Sequence, residues 1–310
     1  MSNAYRSVAV HVRAPGKINV YLGVGPRHDD GYHALATVFQ AVSLYEDVYA
    51  HPSDGFSLEV YGEVDVTDVP TDDRNLAMRA AKLLAQTAGV TAGVHLEIRK
   101  GVPVAGGMGG GSADAAAALV ACDALWGTEL GPLRLHELAA RLGADVPFAL
   151  HGGTALGAGR GDELTPALAR GRFDWVLVTS EQGLSTPEIY GRLDALRAHG
   201  EALADDPPMS LEVPIAVLQA LRAGDATGLA PVMFNDLERA AVDGRPDLEL
   251  ALADGVRFGA LSGIVSGSGP TIAFLCGGPE IARTVQQELQ ATGHTALHVH
   301  GPVAGAQLIG

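Results

Sequence analysis

Apolar and polar positions alternate along the start of the chain and predict two β-strands separated by Pro15-Gly16. The apolar members of the pattern are Val8, Val10, Val12, Ile18, Val20, Leu22 and Val24. The same period of two places Lys17, Asn19 and Tyr21 together on the opposite face. At this point a solvated strand face and an inward-facing polar site are both open.

Helical and extended patterns interleave along the rest of the chain and predict a mixed α/β protein. One helix is expected from near Asn75 to Gly89, and Thr186-Pro187 is expected to cap another that runs toward His199. With 310 residues, two domains are expected. A glycine-rich, aperiodic stretch around residues 152–172 places the boundary so that the domains are 1–170 and 171–310.

The charge balance of the chain limits the classes of partner that it is expected to bind. Lys and Arg total 21 against 36 Asp and Glu, a formal net charge of −15, so no broad basic face is expected for nucleic acid. Two cysteines, Cys122 and Cys276, cannot form a disulfide framework. The sequence has neither a signal-peptide pattern nor an uninterrupted membrane span, and we therefore expect a cytoplasmic protein without a membrane partner.

A glycine loop is the strongest local motif. Gly106, Gly107 and the run 109–111 can present successive N–H groups to a polyphosphate, and a helix that begins near Ser112 adds its positive end. Ser112 stands where a P-loop has lysine and where GxGxxG has its third glycine, so neither fingerprint matches. A merely flexible loop is the alternative.

Three further positions could carry chemistry. Asp145 lies among apolar neighbours and either caps a helix or takes part in a reaction. Lys17 is either a surface lysine or a cation at a phosphoryl-transfer site. The glycine element at 267–271 is either a hairpin turn or a second loop that approaches the same phosphates.

Five segments together resemble the GHMP small-molecule kinase superfamily. They are APGKINVYLGV (14–24), DDGYHAL (29–35), PVAGGMGGGSADAA (103–116), GADVPF (143–148) and SGSGPT (266–271). The resemblance implies an ATP- and Mg²⁺-dependent kinase. It also implies a ribosomal-S5-like N-terminal domain and a ferredoxin-like C-terminal domain.

The resemblance also implies roles for individual residues. Lys17 and Asp145 match the catalytic pair, in which Asp145 accepts the proton of the substrate hydroxyl. Ser112 is the candidate side-chain contact to phosphate or to Mg²⁺. The residues expected to bind ATP are Asn75, Lys100, Pro103, Val104, Ala105, Gly106, Gly107, Met108, Gly109, Gly110, Gly111, Ser112 and Ala113.

The combination of PGKIN, DGYH and GADVPF resembles one branch of the superfamily. That branch phosphorylates the 2-hydroxyl of the cytidine diphosphate ester of methylerythritol, in the non-mevalonate isoprenoid precursor pathway. The residues implied for this substrate are Asn19, Tyr32, His33, Thr186 and Tyr190. The alternatives are a GHMP kinase for homoserine, mevalonate or a sugar, and a non-catalytic nucleotide sensor. The oligomeric state is not readable from the sequence.

Overall fold

Two β-sheets with helices packed against them organise the chain. The computed structural model describes residues 9–104, 106–180, 182–199 and 211–309. The strands are β1 (Val10–Arg27), β2 (His33–Ser53), β3 (Phe56–Gly62), β4 (Gly93–Lys100), β5 (Thr154–Ala158), β6 (Glu163–Pro166), β7 (Phe173–Thr179), β8 (Phe234–Asn235), β9 (Ser262–Val265), β10 (Ile272–Cys276), β11 (Thr295–Gly301) and β12 (Gln307–Leu308). The helices are α1 (Leu76–Ala88), α2 (Gly110–Trp126), α3 (Gly131–Leu142), α4 (Val146–His151), α5 (Thr186–Ala198), α6 (Ile215–Ala223), α7 (Ala226–Leu229), α8 (Glu238–Gly244), α9 (Asp247–Arg257) and α10 (Pro279–Ala291).

The first sheet has the order β12-β1-β2-β4-β3, with β5 also paired to β2, β6 to β5, and β8 to β1. β3 and β4 are parallel and are connected through α1. The alanine-rich helix α2 lies in the core between this sheet and its neighbouring helices, and residues 115–118 are fully buried. Small side chains allow this helix to approach its neighbours closely, which brings its N-terminal end next to the strands.

The second sheet has the order β11-β7-β10-β9 and is antiparallel throughout. Its strands and helices follow one another as βαββαβ, with β9 and β10 as the central hairpin. The predicted mixed α/β class and ferredoxin-like C-terminal arrangement are confirmed. Among the described residues, no helix is both long and apolar enough to cross a membrane.

The second half of the chain returns twice to the first sheet. β7, the first strand of the second sheet, begins at Phe173, close to the predicted boundary after residue 170. However, β8 and β12 both pair with β1. The boundary of 1–170 and 171–310 stays a prediction, because two strands of the second part pair with the first sheet.

From Val10 onward the opening pattern forms one continuous strand, β1, with register shifts after Pro15 and between Asn19 and Tyr21, whereas Val8 lies outside the described residues. Lys17 and Asn19 are buried, so the inward-facing interpretation of their face is the correct one. Tyr21 instead joins the apolar cluster of Ile18 and Val20, because the second shift alters the alternation. The break expected at Pro15-Gly16 is therefore a bulge.

Helix ends match the sequence expectations in part. Asn75 caps α1 and Gly89 ends it in a left-handed conformation, as predicted. The N-cap position of α5 is Ser185, one before the predicted Thr186, and the Ser185 side chain makes no capping bond. This shift leaves the Thr186 side chain to contact another loop.

Candidate active site

The glycine loop approaches the second glycine element closely. Gly107 and Gly109 have φ values of 74° and 71°, which side chains rarely adopt. A Cβ on Gly107 would lie 3.1 Å from the carbonyl oxygens of Ser266 and Gly269. The Lys17 N–H donates to the Met108 carbonyl at 2.9 Å, which fixes the loop to β1. Both loops therefore border one site.

A cavity of about 360 Å³, the loop cavity, lies against the glycine loop. Its lining residues are Asp68, Val69, Pro70, Arg74, Asn75, Leu76, Lys100, Pro103, Val104, Gly106, Gly107, Met108, Gly109, Gly110, Gly111 and Asp114. Ala105 lies outside the described residues. Ser112 is half-buried in the first turn of α2, whereas Ala113 is buried and its N–H donates to the Gly109 carbonyl at 2.9 Å. Neither Ser112 nor Ala113 is among the residues that line the loop cavity, so their predicted contacts with ATP stay predictions.

Asn75 and Lys100 lie on the cavity wall with their polar groups engaged by the protein. The Asn75 side chain accepts the Ala77 N–H at 2.9 Å and donates to the Pro70 carbonyl at 2.8 Å. Lys100 Nζ lies 2.5 Å from Glu46 Oε1 and 2.7 Å from Asp114 Oδ2. Their predicted contacts with ATP stay predictions.

The Glu46–Lys100–Asp114 cluster is almost fully buried. Burial, followed by the charge of Asp114, raises the pKa of Glu46 to about 8, although Lys100 opposes the shift. Burial also raises the pKa of Asp114. Burial alone would lower the pKa of Lys100, but its two carboxylate neighbours outweigh burial and raise it. Sequence reasoning missed Glu46 and Asp114; the available signal was a carboxylate in an otherwise apolar strand or helix.

Lys17 and Asp145 meet next to the glycine loop. Lys17 Nζ lies 3.8 Å from Asp145 Oδ2 and donates to Asn19 Oδ1 at 2.8 Å. Asn19 Nδ2 in turn donates to Thr37 Oγ1 at 2.8 Å, which fixes the amide orientation. Asp145 precedes α4, but its side chain makes no capping bond, so the capping interpretation is wrong. A third of the Asp145 side chain is exposed, so a substrate hydroxyl can reach it.

The pair opens into a central cavity of about 240 Å³. Its walls include Lys17, Asn19, Thr37, Phe39 and Asp145. A Cβ on Gly109 would lie 3.4 Å from Lys17 Cγ and 3.8 Å from Asp145 Oδ2. The glycine at 109 therefore allows the backbone to approach both functional side chains.

A third cavity, the aromatic slot, has a volume of about 410 Å³. Its lining residues are Arg27, Gly31, Tyr32, His33, Leu35, Arg160, Thr186, Pro187, Tyr190, Gly191 and Asp194. The His33 and Tyr190 ring centroids are 5.1 Å apart, and His33 Nε2 lies 2.8 Å from Asp194 Oδ1. Burial, then the charge of Asp145, raises the pKa of Tyr190 to about 12, so this ring stays neutral.

The three cavities follow one another. The central cavity shares Gly107 and Gly109 with the loop cavity. It shares Leu35, Arg160, Thr186 and Tyr190 with the aromatic slot. Thr186 Oγ1 lies 2.8 Å from Ser268 Oγ, which ties the slot to the second glycine element. The arrangement can hold a polyphosphate on one side of Lys17 and Asp145 and an aromatic group on the other.

This site belongs to a known class of phosphotransferase. Residues 75–153 match the GHMP kinases N terminal domain, and residues 217–295 match the GHMP kinases C terminal domain. A curated protein from Leifsonia xyli subsp. xyli, a 4-diphosphocytidyl-2-C-methyl-D-erythritol kinase, is 57% identical over 97% of this chain and 99% of its own length. The chain belongs to the GHMP kinases, and within them to the 4-diphosphocytidyl-2-C-methyl-D-erythritol kinase family.

Solved structures agree with this assignment. A crystal structure of a 4-(cytidine 5'-diphospho)-2C-methyl-D-erythritol kinase is 33% identical, covers 94% of this chain and 98% of its own, and has a TM-score of 0.75. A mevalonate kinase from L. major, crystallised with R-mevalonate, has the same TM-score of 0.75 at 17% identity, with coverage of 98% and 100%. The second likeness shows the fold alone, so substrate preference depends on the site residues.

Proposed function

We propose that this chain transfers the γ-phosphate of ATP to the 2-hydroxyl of 4-diphosphocytidyl-2-C-methyl-D-erythritol, giving the 2-phosphate and ADP. The observation that carries the proposal is the position of Lys17 and Asp145. They lie in the central cavity, between a glycine loop that suits phosphates and an aromatic slot that suits a nucleobase.

Asp145 is the proposed general base. Its carboxylate accepts the proton of the 2-hydroxyl as the oxygen forms a bond to the γ-phosphorus, and the bond from that phosphorus to the bridging oxygen of ADP breaks. Lys17, 3.8 Å from Asp145, orients the carboxylate and offsets negative charge at the transferring group. Asn19 holds the Lys17 ammonium at 2.8 Å.

The loop cavity is the proposed ATP site. Positive-φ glycines and the start of α2 direct N–H groups and the helix dipole toward phosphate oxygens, so the site needs few lysines in a chain of net charge −15. Among the described residues, no group of three His, Cys, Asp or Glu could hold a metal. Mg²⁺ suits such a site, since it is often held by substrate phosphates and few protein ligands.

Ser112, near the N-terminal end of α2, is the proposed protein ligand of Mg²⁺. Mg²⁺ held there with ATP would supply positive charge that offsets the negative charge of the transferring phosphate. We propose the cytoplasm as the compartment, because both cysteines are free and buried.

The aromatic slot is the proposed cytidine site. Tyr32 and Tyr190 are the proposed aromatic walls for cytosine, and His33, which lies 5.1 Å from the Tyr190 ring centre, is the proposed hydrogen-bonding group. Thr186 and Asn19 complete the contacts proposed for this substrate. Homoserine and mevalonate have no aromatic group that could stack between two aromatic walls, so this slot favours a nucleobase-bearing substrate.

The test is a substrate panel with ATP and Mg²⁺. We expect phosphorylation of the cytidyl substrate, with phosphorus NMR locating the new ester at the 2-position, and no turnover of homoserine, mevalonate or galactose. CDP should also raise the midpoint of thermal unfolding. Turnover of another panel member with no response to CDP would establish a different GHMP substrate. Binding of ATP without any turnover would instead establish a nucleotide sensor.

A further inference from the structure

Arg160 lies at the boundary between the aromatic slot and the central cavity. The four residues that line both cavities are Leu35, Arg160, Thr186 and Tyr190. Arg160 is the cation of this set, because the others are apolar, hydroxyl-bearing or aromatic. Arg27 also lines the slot, but the central cavity does not include it.

The loop that carries Arg160 is held by backbone bonds. It connects β5 to β6, and Gly159 and Gly161 flank Arg160 with φ values of 63° and 90°. The Gly159 carbonyl accepts the Leu35 N–H at 2.8 Å, and the Gly161 N–H donates to the Ala158 carbonyl at 2.9 Å. The first bond fastens the loop to β2, two residues after His33, and the second closes the turn between β5 and β6.

The guanidinium group is positioned by two side chains. Arg160 Cζ lies 3.9 Å from the centre of the Tyr32 ring, and Nη2 donates to Asp30 Oδ2 at 2.9 Å. About half of each charged side chain in this ion pair is exposed. Exposed ion pairs contribute little to stability, so an anionic ligand can compete with Asp30 at small cost.

A substrate that has its base in the slot and its hydroxyl at Asp145 must cross this boundary. In a nucleoside diphosphate ester, the two phosphates lie between the base and the alcohol and therefore pass the shared residues. Arg binds phosphate oxygens through a planar set of N–H donors. We propose that Arg160 binds the diphosphate of the substrate and so selects a diphosphate-linked alcohol. This inference rests on the proposed function.

The test compares the affinity for cytidine with the affinity for CDP, measured by calorimetry in the wild type, Arg160→Ala and Arg160→Lys. We expect Arg160→Ala to weaken CDP about 10- to 100-fold and cytidine by less than about threefold, because only CDP carries the diphosphate. Lysine keeps the charge but not the planar donors, so its loss should be intermediate. In turnover, KM for the cytidyl substrate should rise in parallel while kcat changes little.

Arg134→Ala is the matched control. Arg134 is an exposed arginine on α3 that pairs with Glu137, so its removal changes the net charge by the same amount away from the cavities. This control should keep wild-type affinity for CDP. Where Arg160→Ala does not fold, Arg160→Lys gives the same comparison.

Two results would overturn the inference. One is wild-type affinity for CDP in a folded Arg160→Ala. The other is an equal loss for cytidine and CDP, which would assign Arg160 to the base alone. Failure of the wild type to phosphorylate the cytidyl substrate is a separate outcome, and it would refute the proposed function.

Discussion

Two lysines next to the glycine loop occupy contrasting surroundings. Lys100 lies between two buried carboxylates, at 2.5 Å from Glu46 and 2.7 Å from Asp114. Lys17 lies 3.8 Å from one carboxylate, Asp145, whose side chain is a third exposed. Both lysines lie on the first sheet. Lys100 contacts Asp114 in α2, and Lys17 contacts Asp145, which immediately precedes α4.

The difference separates a structural ion cluster from a reacting pair. In the Lys100 cluster, close contact compensates for the burial of the ammonium and its two acidic partners, and removing one member leaves a buried group without its partner. At Lys17 the looser pair leaves Asp145 accessible to a hydroxyl that must donate a proton. A general base needs that access more than it needs a short ion pair.

The strongest test of the contrast is Asp145→Asn. We expect kcat to fall about 10²- to 10⁴-fold, because an amide cannot accept the proton of the 2-hydroxyl. The free energy of unfolding should change by less than about 1 kcal/mol, since the partly exposed side chain makes no capping bond. Kinetics and urea unfolding measure the two quantities, with the exposed Asp243→Asn as control. Activity close to that of the wild type would exclude Asp145 as the base.

The second test exchanges the lysines for methionine. Lys100→Met should lower the free energy of unfolding by about 3–5 kcal/mol, because Glu46 and Asp114 would lose their buried cation. Lys17→Met should cost less, about 1–2 kcal/mol, because water can solvate Asp145 and only the buried Asn19 Oδ1 loses its donor. Its kcat should nevertheless fall at least about tenfold. Urea unfolding and steady-state rates give both values. Equal stability of the two variants would remove the contrast.

Local patterns in the sequence predicted the parts of the site that depend on one strand or one turn. The period of two in β1 paired Lys17 with Asn19, and both are buried on one face. Asn75 and Gly89 are the predicted ends of α1. The family resemblance predicted that Asp145 and Lys17 act as a pair, and the structure has the two side chains 3.8 Å apart.

Features set by long-range packing were not predictable from such patterns. The register shift after Asn19 turns Tyr21 into the apolar core, and no local signal marked it. Glu46 and Asp114 are 68 positions apart in sequence and meet through the packing of α2 against the first sheet. Asp194 reaches His33 from α5 only because α5 lies beside the start of β2.

The third test uses the pH dependence of stability. Burial raises the pKa of Glu46 from 4.5 to about 8, so the native state binds more protons than the unfolded state between these values. The free energy of unfolding should therefore fall as pH rises from about 5 to about 8, by up to about 1.4 kcal/mol per pH unit. Glu46→Gln mimics the protonated carboxyl and should flatten this slope. An unchanged slope in the variant would mean that Glu46 is not the titrating group.

The smallest expected effect concerns Asn75, which caps α1 on the wall of the loop cavity. Asn75→Ala should lower the free energy of unfolding by about 1 kcal/mol, while Asn75→Ser retains a cap and should cost only a few tenths. The predicted ATP contact needs the amide, so KM for ATP should rise several-fold in both variants. Calorimetry of ATP binding and urea unfolding separate the two roles. If Asn75→Ser keeps the wild-type KM for ATP, Asn75 acts through the helix cap alone. Its role is then structural, like that of the Lys100 cluster.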